Sequence, residues 1–150
     1  NKNSIILRTN IYGVNSSSGQ SLVEWALNNF EKSKTIKGFS DVIFNAIYTK
    51  QLVETVYRII NSNFSGLLEI GGDYSISKFD FLNKLCGIFG YDTDLVSKGL
   101  FSLDSQAKRP KNTILDTNRL NQEFGISLNL EDGLNQLKED VEDERNNNQQ

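Results

Sequence analysis

Arg109 and Pro110, inside the run KRPKNTILDT (residues 108–117), carry the chemistry that is easiest to state. A guanidinium is planar, permanently charged and able to offer two parallel N–H bonds, so it suits a phosphate. Pro110 is the single proline of the chain and stiffens the loop behind it. The plainer alternative for Arg109 is a surface charge or an ion pair with Asp116. The chain has no histidine, which removes Ser-His and Cys-His nucleophile pairs and most zinc sites. Acid–base chemistry is thereby left to Tyr, Lys, Asp and Glu. A Tyr-x-x-x-Lys spacing occurs at Tyr74 and Lys78, but Ser75 and Ser77 between a glycine turn and a helix cap put that tyrosine in a loop. No catalytic residue is assigned on this basis. Cys86, the one cysteine, lies among apolar residues at helical spacing and reads as a buried side chain in a reducing, cytoplasmic compartment. Asp73, Asp92 and Asp94 lack regular ligand spacing, so they read as solvated loop carboxylates and no metal is expected.

The elements that position these residues alternate between strand and helix. SIILRT is a continuous apolar, β-branched run and predicts a buried parallel strand over residues 4–9. Leu22, Trp25, Ala26 and Phe30 recur at helical spacing up to Lys34, with Trp25 expected in the core or in packing between lobes. TIKGF is a short strand or turn. Thr49 can cap a helix whose apolar face is Leu52, Val53, Val56, Tyr57 and Ile60. Gly66 opens the strand LLEI, which Gly71-Gly72 stops. Ser77 with Asp80 has capping-box spacing at the start of a helix that Gly90 ends. Residues 94–103 hold a short extended segment. Asp116 or Thr117 caps a short helix closed by Gly125, and Asn129 with Asp132 starts a last amphipathic helix through Leu134, Leu137 and Val141. The end, EDERNNNQQ, has no apolar anchor and is expected to be disordered.

Composition sets the limits. With 150 residues the chain can build one core, and 16 basic against 19 acidic side chains give a net charge of −3. That balance lacks the basic footprint of a nucleic-acid binder. Apolar runs such as IIL and LVEWAL are far too short to cross a bilayer, and no signal peptide is visible. No Met is present, not even an initiator, which suggests a fragment or processed piece.

Four stretches, in order, carry a resemblance: LRTNIYG (7–13), FSDVIFNAIYTKQLV (39–53), GLLEIGGDYSISKFDF (66–81) and RPKNTILD (109–116). Together they resemble the extended short-chain dehydrogenases, in particular the dTDP-4-dehydrorhamnose reductase branch and its sugar-nucleotide-binding relatives. The resemblance implies an α/β fold: the C-terminal part of a Rossmann-type doubly wound sheet, plus a small helix-rich substrate-binding lobe. Residues 1–137 would form this portion, with 138–150 a helix end and polar tail. In that family an N-terminal half binds NADPH or NADH, and its Tyr-x-x-x-Lys pair protonates the sugar oxygen as hydride arrives. No such glycine fingerprint precedes the first strand here, so the isolated chain is expected to hold no cofactor. The substrate implied is a nucleotide-activated 4-keto-deoxysugar, with Arg109 on its diphosphate. Asn10, at the end of the first strand, would bond the sugar or the nicotinamide amide, or else satisfy its own turn. Phe44 would stack on the base and Asn45 would hydrogen-bond it, against the plainer reading of Phe44 as a core residue. The pattern is departed from at Asn10-Ile11-Tyr12, one residue short and without the family's Trp, which leaves the sugar open. An epimerase or dehydratase, or a non-catalytic binding module of the same fold, are the alternatives. The parent enzyme could form a homodimer.

Overall fold

The computed structural model of the protein describes residues 4–15, 21–101 and 110–147. Strands β1 (Ile5–Thr9) and, far along the chain, Gly66–Ile70 pair in parallel, Ile5 opposite Gly66 and Thr9 opposite Ile70. A parallel pair needs a long crossover. Here that crossover holds β2 (Ile11–Tyr12), α1 (Leu22–Phe30), β3 (Ile36–Phe39), β4 (Ile43–Phe44), β5 (Ile47–Tyr48) and α2 (Thr49–Ile60), and Gly66–Ile70 is therefore β6. β7 (Ile76–Ser77) and α3 (Lys78–Ile88) follow, then β8 (Val96–Gly99), β9 (Asn112–Thr113), α4 (Asn118–Phe124) and α5 (Leu130–Asn147). β2 pairs with β5 and β3 with β8, both in parallel, while β4 sits between antiparallel β7 and parallel β9. The class is α/β with mostly parallel pairing, as the alternation of strand and helix predicts.

Local chemistry sets the helix ends. Ser21 caps α1 in a reciprocal box with Glu24: the Ser21 hydroxyl accepts from Glu24 N at 3.1 Å, and Glu24 accepts from Ser21 N at 2.9 Å. Ser77 caps α3 by accepting from Asp80 N at 3.0 Å. Asn129 does the same for α5 through Asp132 N at 2.8 Å. Gly125 ends α4 at φ +60°, a left-handed conformation that glycine adopts without steric cost.

Two apolar clusters hold the elements together. The larger joins α1, α3 and α5 around Phe30, Phe44, Phe81, Leu85, Leu134 and Leu137. The smaller lies between the β1–β6 pair, α2 and α4 and contains Ile47, Ile59, Leu68, Ile70, Leu120 and Ile126. Gly38 on β3 allows α3 to pack tightly, because a Cβ there would stand 2.6 Å from Phe79 Cα. Cys86 is buried, its thiol donates to Asp92 O at 3.1 Å, and burial pushes its pKa up.

Three expectations are corrected. β1 is covered on one face only: Leu7 packs on the smaller cluster, whereas Ile6 is 60% exposed and its neighbour Leu67 43%. The face of α2 is rotated. It buries Gln51, Thr55 and Ile59 and leaves Val53, Tyr57 and Ile60 exposed, because Gln51 is used to accept from Tyr48 N at 3.1 Å at the helix start. The end of the chain is helical as far as Asn147, not a disordered tail from residue 142. Val141 is buried there, and Arg145 forms an ion pair with Glu31 of the neighbouring segment, which anchors a stretch that lacks apolar residues of its own.

Candidate functional site

At the C-terminal end of β1 the chain opens a cleft of ≈ 710 Å³. This is where open α/β sheets bind ligands, and the volume suits a small organic molecule. Thr9 and Asn10 form one rim. The Asn10 backbone carbonyl is occupied by Ile47 N at 2.9 Å, which fixes the residue, while its amide reaches across to the Thr113 hydroxyl at 3.4 Å. The sequence expectation for Asn10 thus coincides with a cleft-lining position. Trp25 is a correction: it stands 42% exposed on α1 and lines the cleft instead of the core. Phe39 and Phe101 form an edge-to-face pair 5.4 Å apart on the opposite wall.

Arg109 lies outside the described residues, but both ends of the segment that contains it are described. Asp41 accepts from Phe101 N at 2.8 Å and forms an ion pair with Lys111. Ile43 N donates to Lys111 O at 2.7 Å, and Ser40 N to Gly99 O at 2.9 Å. One turn, residues 40–43, therefore pins the segment on either side, and Phe101 and Pro110 both line the cleft. The Lys111 ammonium, followed by the Phe101 amide, holds the Asp41 carboxyl below the usual carboxylate range. Sequence reading missed Asp41, and no local pattern points to it.

Asn45 is 1% exposed and fully engaged by backbone. Its amide donates to Gly72 O at 3.0 Å and Leu115 O at 2.9 Å, and its oxygen accepts from Leu115 N at 2.9 Å. These bonds latch the 71–72 turn to the strand end that precedes α4. Its side-chain amide and oxygen are thus engaged within the protein, in a structural latch. Phe44 is also 1% exposed. Its edge packs on Phe81 at 5.2 Å, and one ring face carries the Lys78 ammonium 3.7 Å from the ring centre. A base cannot stack on a face so occupied.

Tyr74 and Lys78 do not share a helix. Tyr74 sits in the loop before β7 and its hydroxyl donates to Ala46 O, while Lys78 opens α3. Burial raises the Tyr74 pKa and lowers that of Lys78. The turns at Gly13 and Gly71 leave no room for a phosphate cradle. A Cβ on Gly13 would meet Thr49 at 2.9 Å and one on Gly71 would meet Asn45 at 2.8 Å, so the space over these turns is filled by side chains. Gly90 and Gly125 stand in open space but end helices instead of starting them.

No protein-family model matches the chain. A curated relative, the probable low-salt glycan biosynthesis reductase Agl14 of Haloferax volcanii, is 24% identical over 143 residues, 92% of this chain and 48% of that protein. A dTDP-4-dehydrorhamnose reductase structure from Clostridium acetobutylicum superposes with a TM-score of 0.80 at 20% identity, over 92% of this chain and 49% of that one. The Bacillus anthracis enzyme, solved with NADP, gives 0.75 at 22%, over 89% and 47%. The dTDP-glucose 4,6-dehydratase of Bacillus anthracis, solved with NAD, gives 0.71 at 13%, over 93% and 44%. The chain spans about half the length of the proteins it matches. In fold it resembles the dTDP-4-dehydrorhamnose reductases.

Proposed function

We propose that this chain is the substrate-binding half of an NAD(P)H-dependent reductase that acts on a nucleotide-activated 4-keto-deoxysugar. The observation that carries the reading is the cleft at the end of β1, where Asn10 faces Thr113 and the pinned ends of the Arg109 segment meet the same cavity. Its composition supports an anionic, partly aromatic ligand. Among the described residues it is lined by Lys37 and Lys78 and by no carboxylate, in a chain that carries more acids than bases. Trp25 and the Phe39–Phe101 pair offer flat apolar surface for a base or the hydrophobic face of a sugar. Thr9, Asn10 and Thr113 offer donors and acceptors for sugar hydroxyls.

In this reading NADPH or NADH is held by a second half that completes the β1–β6 sheet. The exposed Ile6 and Leu67, and the α2 stripe of Val53, Tyr57 and Ile60, support it as surface suited to burial against such a half. This chain would then bind and orient the sugar nucleotide, exclude water from the cleft and present Arg109 to the diphosphate.

The test joins the chain to its cofactor-binding half and offers a nucleotide-activated 4-keto-deoxysugar with NADPH or NADH. The expected result is one equivalent of reduced cofactor consumed per sugar reduced. Turnover without net loss of reduced cofactor would mean an epimerase or dehydratase. Binding without turnover would mean a non-catalytic module, and failure to bind any nucleotide sugar would overturn the reading.

A further inference from the structure

In the sequence Lys78 stands out only by its spacing from Tyr74, and the structure gives it other neighbours. Its ammonium rests on the Phe44 ring, and the residue lines both the main cleft and a smaller cavity of ≈ 230 Å³ that Phe44 also lines. Arg8, Lys50, Lys111, Arg119, Lys138 and Arg145 each find a carboxylate within ion-pair distance. Lys78 has none among the described residues, although it is half-buried. Taking a charge out of water without a counter-charge is unfavourable. The helix adds to this: Lys78 is the first residue of α3, where the macrodipole disfavours a cation. Burial accordingly pushes its pKa down. A ring face offsets part of that cost but leaves the ammonium's N–H donors unmatched.

A lysine held in so unfavourable a place, facing a cleft without carboxylates, is arranged to meet an anion brought by a ligand. We propose that Lys78, seated on Phe44, is an anion subsite of the cleft that takes a phosphate oxygen of a nucleoside diphosphate group. The assignment of the phosphate to a nucleotide rests on the function proposed above; the anion subsite itself does not. Phe44 is then a positioning residue, since its ring keeps the ammonium turned toward the cleft.

Calorimetric titration of the full-length protein with dTDP, thymidine and inorganic pyrophosphate tests this, alongside urea unfolding. Lys78→Gln should weaken dTDP and pyrophosphate by about tenfold to a hundredfold, the loss of one charge-assisted contact, and leave thymidine unchanged. The same variant should unfold at equal or higher urea, because an unpaired charge has been removed. Lys78→Arg should retain part of the affinity, and Phe44→Leu should lose affinity for both anions but not for thymidine. If the wild type binds pyrophosphate through Lys78 but neither dTDP nor a nucleotide sugar, the subsite stands and the nucleotide-sugar reading falls. If Lys78→Gln binds pyrophosphate and dTDP as the wild type does, or if the wild type binds no phosphate compound, the subsite is refuted. Lower stability with unchanged affinity would make Lys78 a packing residue and would equally overturn it.

Discussion

Asn45→Ala separates a structural latch from a ligand contact. Removing the side chain strands the Gly72 carbonyl, which is buried, and the Leu115 carbonyl and amide, which are half-buried. A buried orphan costs about 1–3 kcal/mol, and each half-buried group that water can partly reach about 0.5–1.5 kcal/mol. The three together give about 2–6 kcal/mol, a large part of the stability of an ordinary domain. With a urea slope of about 2 kcal/mol/M, the unfolding midpoint should drop by roughly 1–3 M. Asn45→Asp adds a check of sign. The introduced carboxylate keeps an acceptor for Leu115 N but sets a negative oxygen against the Gly72 and Leu115 carbonyls. Its folded-state pKa must therefore lie above the unfolded value of about 3.9. Stability is then fully present below that value and lost as pH rises through the folded pKa. The gap to wild type in urea titrations should widen from pH 3.5 to pH 7. A midpoint within about 0.5 kcal/mol of wild type for Asn45→Ala, with weakened nucleotide binding, would refute this account and restore Asn45 to the ligand.

Other perturbations address the loop and the packing. In the complete enzyme, Arg109→Ala should weaken nucleotide-sugar binding by about tenfold to a hundredfold and leave cofactor affinity unchanged, measured as separate titrations. The Asp41 carboxyl has a depressed pKa, so its hold on Phe101 and Lys111 is complete above the ordinary carboxylate range and lost as pH falls through the folded value. Proteolysis within residues 102–109 should consequently rise on acidification, and Asp41→Asn should cleave faster at neutral pH with that dependence flattened. Gly38→Ala should destabilise by about 1–3 kcal/mol or more in urea, because the new methyl meets the Phe79 backbone, which cannot swing aside. An unchanged midpoint would mean that β3 and α3 are not packed so closely.

What was legible in the sequence is what local chemistry decides. Ser77 with Asp80, Asn129 with Asp132, and the glycines at 90 and 125 mark helix ends because their bonds and dihedrals lie within a few residues. The parallel strand after residue 4 and the strand from Gly66 were legible from their apolar runs. The two-residue strands β4, β5 and β9 were not, since each exists only through a partner far along the chain. The face of α2 was misread for a related reason: periodicity counts apolar residues, whereas Gln51 is buried for a hydrogen bond at the helix start. In the candidate site, the place of Asn10 at a strand end was legible, and that end lies on the cleft. Phe44 and Asn45 were given a ligand's contacts through the family resemblance, while the structure shows the partners each has within the protein. Lys78 did leave a trace, a lysine directly after a helix-capping serine, at the helix end where a positive charge is least welcome.

The parallel pairing of β1 with β6 also bears on how the molecule comes to be folded. Arg8 and its β6 partner Glu69 are 61 residues apart, and Thr113 reaches back 70 residues to Ile43. Pairings of this length make for slow folding, because chain entropy is lost before contacts are gained. At a synthesis rate of about 5–20 residues per second, β1 waits roughly 3–12 s for its partner to be made. Throughout that interval the edge of β1 that β6 will cover is unpaired, while α1 with its own cap can already form. β9 joins β4 later still, so the cleft is among the last parts to close. A nascent chain stalled before residue 70 would thus hold formed helices beside an unpaired apolar edge, the state in which chaperone capture or aggregation would be decided.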